Sequence, residues 1–423
     1  MKKRYLVLAL IILMFSLSVV SASENVSASS DALSIDNNDL SLIDESGDGI
    51  IKSNDPNVET IAAGNSEVNS TDSGNGTHGT SGDNNKTTDD KPVSKPKPAK
   101  VTNTEDITAT YGTLVYYKVK VLDKDGNPIE GQKVTLTVVG RGSVTKYTDA
   151  KGMANVSCNC PAGSYKFKYT VGTLTGYNNY IVKNKISLTV LNWGLKGDVT
   201  KNALIKKNMP NNAWVKKVVD ATKRGIPLLT IKGDKNGKVI FMTAGVHGNE
   251  ISSQVAAMKM INYLTKTPVK GTVYFMPFVN VKAISKKVRY TDKDFNRIAH
   301  KSGTIPNKIV KLVKRYKCDA YGDFHTTKPG GAPGKNIVMG SKTPAAGSAK
   351  LTKYIATKCK VNQRIYKYAG QQYPGAINDN VNKLGIPAVI CEVMLPHNTV
   401  TAKTVKTSYN MMTYLLKYYS VIK

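Results

Sequence analysis

Five cysteines in 423 residues are too few for a disulfide-built scaffold. Cys158 and Cys160 form a C-x-C pair, but no second cysteine or histidine cluster lies near them, which argues against a zinc knuckle. One intrachain bridge stays open to the chain, and a free thiol must remain if all pair internally. Long apolar runs are equally scarce. Past residue 20 no stretch is long and apolar enough to span a bilayer, so the mature chain is expected to lack a transmembrane anchor. Only five histidines occur, at 78, 247, 300, 325 and 397, and few combinations of them could build a metal site. Arginine is rare as well, seven residues beside 53 lysines, so where arginine stands carries information. Acidic residues number half the basic ones, and the formal net charge is +30.

What is present begins with an export signal. Met1-Lys2-Lys3-Arg4 is a basic head, Leu6 to Val19 an apolar core of secretory length, and Val20-Ser21-Ala22 a small-residue cleavage site. Residues 1–22 read as a signal peptide, and the mature protein is expected to be secreted, at the cell surface or wall. Residues 23–101 form an acidic Ser/Asn/Asp-rich linker that ends in the Lys/Pro-rich run KPVSKPKPAK. Its 24–90 portion has 14 acids against two lysines, a net −12, and it holds too little apolar surface to offset the entropy of ordering. The sequons at Asn25, Asn69, Asn75, Asn85 and Asn155 are compatible with a glycosylated stalk. The remaining body, from residue 91, has 55 bases against 16 acids, a net +39. A body so basic favours an acidic wall or surface polymer and, for an exported protein, disfavours nucleic acid. Evenly spread lysines that only keep the body soluble are the alternative.

Two folded regions follow. Residues 102–185 alternate short strands with turns, among them Leu114 to Leu122, Lys133 to Val139 and Tyr165 to Thr170, the pattern of a small all-β immunoglobulin-like sandwich. Residues 195–423 alternate helices and strands: a helix capped by Asn211 and Asn212, strands Leu228 to Ile231 and Val239 to Thr243, and a helix over Ile251 to Leu264. Strand Thr272 to Phe278, a helix near Lys308 to Tyr316, strand Ala388 to Val393 and a last helix over Thr404 to Tyr418 complete the series. This order predicts an α/β domain with a mixed, largely parallel sheet and helices on both faces. In such sheets ligands gather at the carboxyl ends of strands.

One of those ends carries Gly-Val-His247-Gly-Asn-Glu250. An imidazole and a carboxylate three residues apart on a turn can share one zinc ion if a third ligand arrives from elsewhere. His325, in Tyr-Gly-Asp323-Phe-His325-Thr-Thr, is the best candidate, and Asp323 two residues earlier can face the same way along a strand and orient its ring. Glu392 ends the otherwise apolar strand Pro-Ala-Val-Ile-Cys-Glu392, where a lone carboxylate needs a cation, a metal or a proton. It is the candidate base, with a buried Glu–Lys pair as the bland alternative. Arg289 and Arg297 flank Tyr-Thr-Asp292-Lys-Asp294-Phe-Asn296 and suit bidentate carboxylate recognition or carbonyl polarisation. Salt bridges to Asp292 or Asp294 are the other reading.

Two resemblances rest on these residues. VKVLDKDGNPIEGQKVTLTV, TDAKGMANV and PAGSYKFKYT resemble the immunoglobulin-like modules of archaeal and bacterial surface adhesins, which implies a spacer or docking module. GVHGNE, RYTDKDFNR, DFHTT and ICEV, in that order over about residues 205–420, resemble the zinc carboxypeptidase clan in its succinylglutamate desuccinylase/aspartoacylase-like branch. That resemblance implies one zinc ion on His247, Glu250 and His325, with Glu392 as general base and acid. It further implies that Arg289 polarises the scissile carbonyl while Asn296 and Arg297 grip the substrate's carboxylate. The clan also uses a mobile tyrosine; Tyr373 is assigned to it by its position before Glu392, and a packing tyrosine fits as well. His397, just past Glu392, either lines the cleft or is a loop residue.

The expectation is a secreted zinc-dependent amide hydrolase, a carboxypeptidase-like enzyme that removes a C-terminal residue from peptides, wall-associated ones among them. An N-acyl amino acid deacylase is the second reading, and a non-catalytic surface adhesin the third. The branch's deacylases add a β-rich enclosing domain and act on small metabolites inside cells. An exported relative without that domain would have an open cleft, suited to longer or immobilised substrates.

Overall fold

The computed structural model describes residues 42–43 and 95–423, so the signal segment, His78 and most of the acidic linker lie outside it. Two sheets form the sandwich. Strands β1 (Leu42–Ile43), β2 (Lys100–Thr102), β4 (Val115–Leu122) and β7 (Met153–Cys158) make the first, in the order β1-β7-β4-β2. Strands β3 (Ile107–Thr110), β5 (Lys133–Val138), β6 (Gly142–Tyr147), β8 (Gly163–Val171) and β9 (Leu174–Lys183) make the second, in the order β3-β9-β8-β5-β6. Alternation along β4 and β5 sends Tyr117, Val119 and Val121 and then Val134, Leu136 and Val138 inward. Tyr117 stacks on Phe167 with ring centroids 4.3 Å apart, and Phe167 stacks in turn on Tyr180 at 4.7 Å. The expected sandwich is therefore present, with one strand, β1, placed inside the segment expected to be a tether. All five cysteines are free.

An eight-stranded mixed sheet follows, built from β10 (Lys185–Leu191), β11 (Ile226–Lys232), β12 (Lys238–Ala244), β13 (Gly271–Met276), β14 (Ala320–Thr327), β15 (Ile337–Thr343), β16 (Asn362–Tyr368) and β17 (Ala388–Met394). Their order is β10-β11-β13-β12-β14-β17-β15-β16. The centre β13-β12-β14-β17 is parallel, and antiparallel pairs join β10, β11 and β15 to it. Helices α1 (Ala203–Lys207), α2 (Ala213–Ala221), α3 (Ile251–Leu264), α4 (Val281–Lys286), α5 (Ile305–Arg315), α6 (Gly347–Cys359), α7 (Ile377–Asn382) and α8 (Ala402–Tyr418) connect and cover it. Asn212 caps α2 as expected, accepting from the backbone N–H groups of Trp214 and Val215. No helix of the described residues is long and apolar enough to cross a membrane.

One boundary shifts from the sequence reading. Lys185, read as the end of the sandwich, and residues 186–191, read as the gap after it, form the edge strand β10 of the α/β sheet, paired with β11 through all seven residues. Strands β15 and β16 and helix α6 also escaped the periodicity, because β15 is a buried run broken by Gly340 while β16 is a polar edge strand. The turn from β9 into β10 is locked by Asn184, which is buried. Its Nδ2 donates to the carbonyls of Leu264 and Thr267 at 2.9 and 2.8 Å, and its Oδ1 accepts from Val269 N–H at 3.0 Å. Beside it Ala162 N–H donates to the carbonyl of Gly233, whose own Cβ position is filled by Val269 O. The sandwich is thus tied to the loop after α3 through one amide. Asn184→Ala is expected to cost about 2–3 kcal/mol, at roughly 1 kcal/mol per lost hydrogen bond. A melting curve of the full chain that is unchanged by the substitution would show the amide to be dispensable.

Candidate active site

The catalytic-site candidates converge at the carboxyl ends of β12, β14 and β17, where the sheet reverses its direction of winding: the chain leaves β12 for β13 on one side and β14 for β15 on the other. After β12, Gly245 takes φ +69° and starts the turn that carries His247 and Glu250. Gly248 in that turn lies so close to α4 that a Cβ would stand 2.3 Å from the Ala283 carbonyl carbon, and its N–H donates to Arg289 O at 2.9 Å. Buried Gln254, one turn into α3, donates from Nε2 to the carbonyls of His247 and Gly248. The turn is therefore held from both sides, and glycine is required where backbone meets backbone.

Along β14 side chains alternate. Gly322 and Phe324 face α8, with the missing Cβ of Gly322 leaving room for Leu415, while Asp323 and His325 share the opposite face. The parallel register sets Glu392 of β17 directly beside His325. Two strands and one turn thus bring together residues up to 145 positions apart in sequence.

His247 Nδ1 lies 2.8 Å from Glu250 Oε1, and His325 Nδ1 lies 2.8 Å from Glu250 Oε2. All three side chains are buried, and their ligand atoms lie within 4.8 Å of one another. Each ring is backed at Nε2 by a carboxylate: Asp294 Oδ1 at 2.8 Å behind His247, and Asp323 Oδ2 at 3.0 Å behind His325. Asp323 is held in turn by the Thr243 hydroxyl at 2.7 Å. A carboxylate behind each imidazole fixes the ring and leaves both Nδ1 atoms facing the same point.

The charges at this point favour a cation. Glu250, Asp294, Asp323 and Glu392 surround it, and Arg289 is the guanidinium that reaches in, donating to Glu250 Oε1 at 3.0 Å and lying 3.5 Å from Asp294 Oδ2. Burial alone would raise the pKa of Glu250, yet the two imidazoles outweigh it and hold the carboxyl well below its usual range. Burial opposes charge on His325 too, but Asp323 and Glu250 raise its pKa well above the usual value. Burial pushes Glu392 up to about 8, with Glu250 and Asp323 adding repulsion against His325 and Arg289. Its Oε2 has no hydrogen-bond partner, and no lysine pairs with it among the described residues. Two imidazole nitrogens, one carboxylate and an orphaned carboxylate oxygen nearby are the donor set of an open zinc site, so the residues present fit the metal.

A cleft of about 310 Å³ opens over the cluster, lined by Glu250, Arg289, Thr326, Thr327, Lys328 and Glu392, with His397 on its wall. His397 donates from Nε2 to Thr326 O at 3.1 Å and accepts at Nδ1 from Asn249 at 3.3 Å, so its one N–H is already committed. Asn296, expected to grip a substrate carboxylate, is buried, with Nδ2 3.0 Å from His325 Nε2 and Oδ1 accepting from Ile377 N–H. Its amide serves the ring of His325 rather than the cleft. Arg297 is exposed, with its guanidinium carbon 4.5 Å from the centroid of the Tyr373 ring, and the two lie together outside the cleft lining. Asp294 was read only as a salt-bridge partner. Its carboxylate also accepts from Asn296 N–H, capping the short 3-10 turn Phe295–Arg297, and an aspartate two residues before that asparagine was the available signal.

Comparison with known proteins agrees with this placement. Residues 236–330 match the family model described as the succinylglutamate desuccinylase/aspartoacylase catalytic domain, a span that holds His247, Glu250, Arg289 and His325. Residues 112–179 match the macroglobulin domain MG4. No curated protein matches. Among solved structures, a succinylglutamate desuccinylase/aspartoacylase from Rhodobacter sphaeroides aligns at 20% identity and TM-score 0.38, covering 47% of this chain and 60% of its own. The ectoine utilization protein EutE from Ruegeria pomeroyi aligns at 19% and 0.39, covering 48% and 64%. An aspartoacylase family protein from Mesorhizobium loti aligns at 14% and 0.40, covering 56% and 68%. The chain thus spans under two thirds of the first two. The cluster of His247, Glu250 and His325 stands in a region similar to the succinylglutamate desuccinylase/aspartoacylase catalytic domain, a hydrolase domain, and the sandwich before it is similar to a macroglobulin domain.

Proposed function

We propose that the protein is an exported zinc-dependent amide hydrolase that removes the C-terminal residue from peptides. The observation that carries this reading is the convergence of His247, Glu250 and His325 beneath a cleft that Glu392 and Arg289 also line. His247 and His325 through Nδ1, with the Glu250 carboxylate, would hold the zinc. Zinc there supplies a Lewis acid that activates water and polarises a carbonyl. Glu392 takes the proton of the attacking water at its free Oε2 and returns it to the leaving nitrogen, a role that suits a pKa near neutrality. Arg289 faces the carbonyl oxygen and stabilises charge as it develops. Arg297, exposed and braced on Tyr373 outside the cleft lining, is assigned to the substrate's terminal carboxylate. Thr326 and Thr327 line the wall and Lys328 the mouth.

The family match favours a second reading, an N-acyl amino acid deacylase, which uses the same cluster on a smaller acyl group. The two separate on one panel of substrates. A carboxypeptidase cleaves peptides of increasing length with similar kcat/KM and spares those with an amidated C-terminus; a deacylase cleaves acetyl- or succinyl-amino acids and loses activity as the acyl part becomes a peptide. In the first case Arg297→Ala is expected to raise KM at least tenfold with kcat little changed.

Chelation should remove one equivalent of zinc and all turnover, and one equivalent should restore both. His325→Ala is expected to weaken zinc binding by a hundredfold or more, read by competition with a metal indicator. Turnover that survives chelation would reject the metal assignment.

Glu392→Gln is expected to lower kcat by about 10²–10⁴. It also tests the environment of the carboxyl in metal-free protein. The folded pKa of about 8 exceeds the ordinary 4.5, so the folded state holds this proton more tightly than the unfolded one. Stability from this group is complete below about 4.5 and declines as pH rises to about 8. Glu392→Gln removes that decline: its melting temperature should exceed the parent's by a margin that grows to about pH 8 and is flat above. A margin independent of pH would show the carboxyl to be ordinary.

A further inference from the structure

A second concavity on the α/β region lies away from the cluster. It is a groove of about 830 Å³ between α3 and α8, closed at one end by Asn208 and Pro210 after α1. Helix α3 presents Lys259, Asn262 and Tyr263 to it, with Lys266 in the turn just past its end, and α8 presents Ala402, Val405, Lys406 and Tyr409. The α8 set has the spacing i, i+3, i+4, i+7 of one helix face, while the α3 set has i, i+3, i+4 and continues into the turn at Lys266, and both line the groove. Each face contributes a lysine with a tyrosine one turn away, Lys259 with Tyr263 and Lys406 with Tyr409. The lysines are exposed, the tyrosines half-buried against the core, and no carboxylate lines the groove.

We propose that this groove binds an acidic polysaccharide chain. A ring sugar bearing a carboxylate has an apolar C–H face and a charge on the same unit, and each Lys–Tyr pair offers a cation beside an aromatic face. Seven residues of helix span about 10 Å, so the pairs meet a short run of successive rings rather than one. An acidic peptide supplies carboxylates without ring faces, and a neutral glycan supplies ring faces without charge; neither uses both halves of the pair. Nothing in this assignment depends on the chemistry of the zinc cluster. It gives the +39 body one defined place to hold a surface polymer, where evenly spread lysines would hold it only by diffuse attraction.

The test is binding of the full chain to polygalacturonate, with dextran and poly-glutamate as the neutral and peptide probes, at several salt concentrations. The triple variant Lys259→Glu, Lys266→Glu, Lys406→Glu is compared with Lys118→Glu, Lys133→Glu, Lys151→Glu, which makes the same charge change on exposed lysines of the sandwich. Tyr409→Leu keeps an apolar side chain but removes the ring, and melting curves confirm that each variant folds. Expected are at least a tenfold loss for the groove triple, less than twofold for the sandwich triple, and a several-fold loss for Tyr409→Leu on polygalacturonate alone. Equal losses from both triples would overturn the site in favour of diffuse charge. Poly-glutamate bound as tightly as polygalacturonate would replace the glycan with an acidic peptide, and equal binding of dextran would remove the role of the lysines.

Discussion

The site depends on one buried carboxylate. Glu250 is almost wholly withdrawn from solvent, and an ionised carboxyl there is tolerated only if its oxygens are met by donors or a metal. His247, His325, Arg289 and the backbone N–H of Thr326 all turn toward it. Because those groups come from the turn after β12, the end of β14 and the segment beyond α4, satisfying one side chain fixes three separate pieces of chain. The carboxylates behind the two imidazoles extend the same logic outward, so that the rings have little freedom to turn.

Backbone geometry makes this affordable. The parallel pairing of β12, β14 and β17 aligns their carboxyl ends, and the register that pairs His325 with Glu392 is the one that hides Phe324 and Val393 in the core. Slipping by one residue would turn both active-site side chains to the opposite face and expose apolar ones. Core packing and site assembly are therefore one constraint. The antiparallel edge strands play no direct part in the cluster, but β10 carries the chain in from the sandwich, and Asn184 at that junction bonds to the loop that follows α3, the helix beginning at Glu250.

Much of this was legible in the sequence for physical reasons. A histidine and a glutamate on a turn after an apolar run, a second histidine preceded by an aspartate at strand spacing, and a glutamate at the end of an otherwise apolar strand are each costly placements that packing alone does not explain. The helix read over 251–264, the one read over 404–418, which begins two residues earlier at Ala402, and the cap at Asn212 follow from local periodicity and hydrogen bonding, which are short-range. What escaped notice was non-local. Strand β16 is polar because it is an edge, β15 is buried through Ser341 because it is not, and neither has the alternation that marks a half-exposed strand.

The sequence by itself marked out most of the elements, the candidate cluster of His247, Glu250 and His325 and the division into a sandwich and an α/β region, since these follow from residue chemistry and short-range spacing. Only the tertiary structure decided what stands behind His247 and what Asn296 and Arg297 face. Asp294 and Asn296 sit two positions apart in one motif, yet one backs His247 and the other touches His325, and Arg297 beside them faces solvent over Tyr373. Strand order and a tight 3-10 turn set those directions, and neither can be read from spacing along the chain.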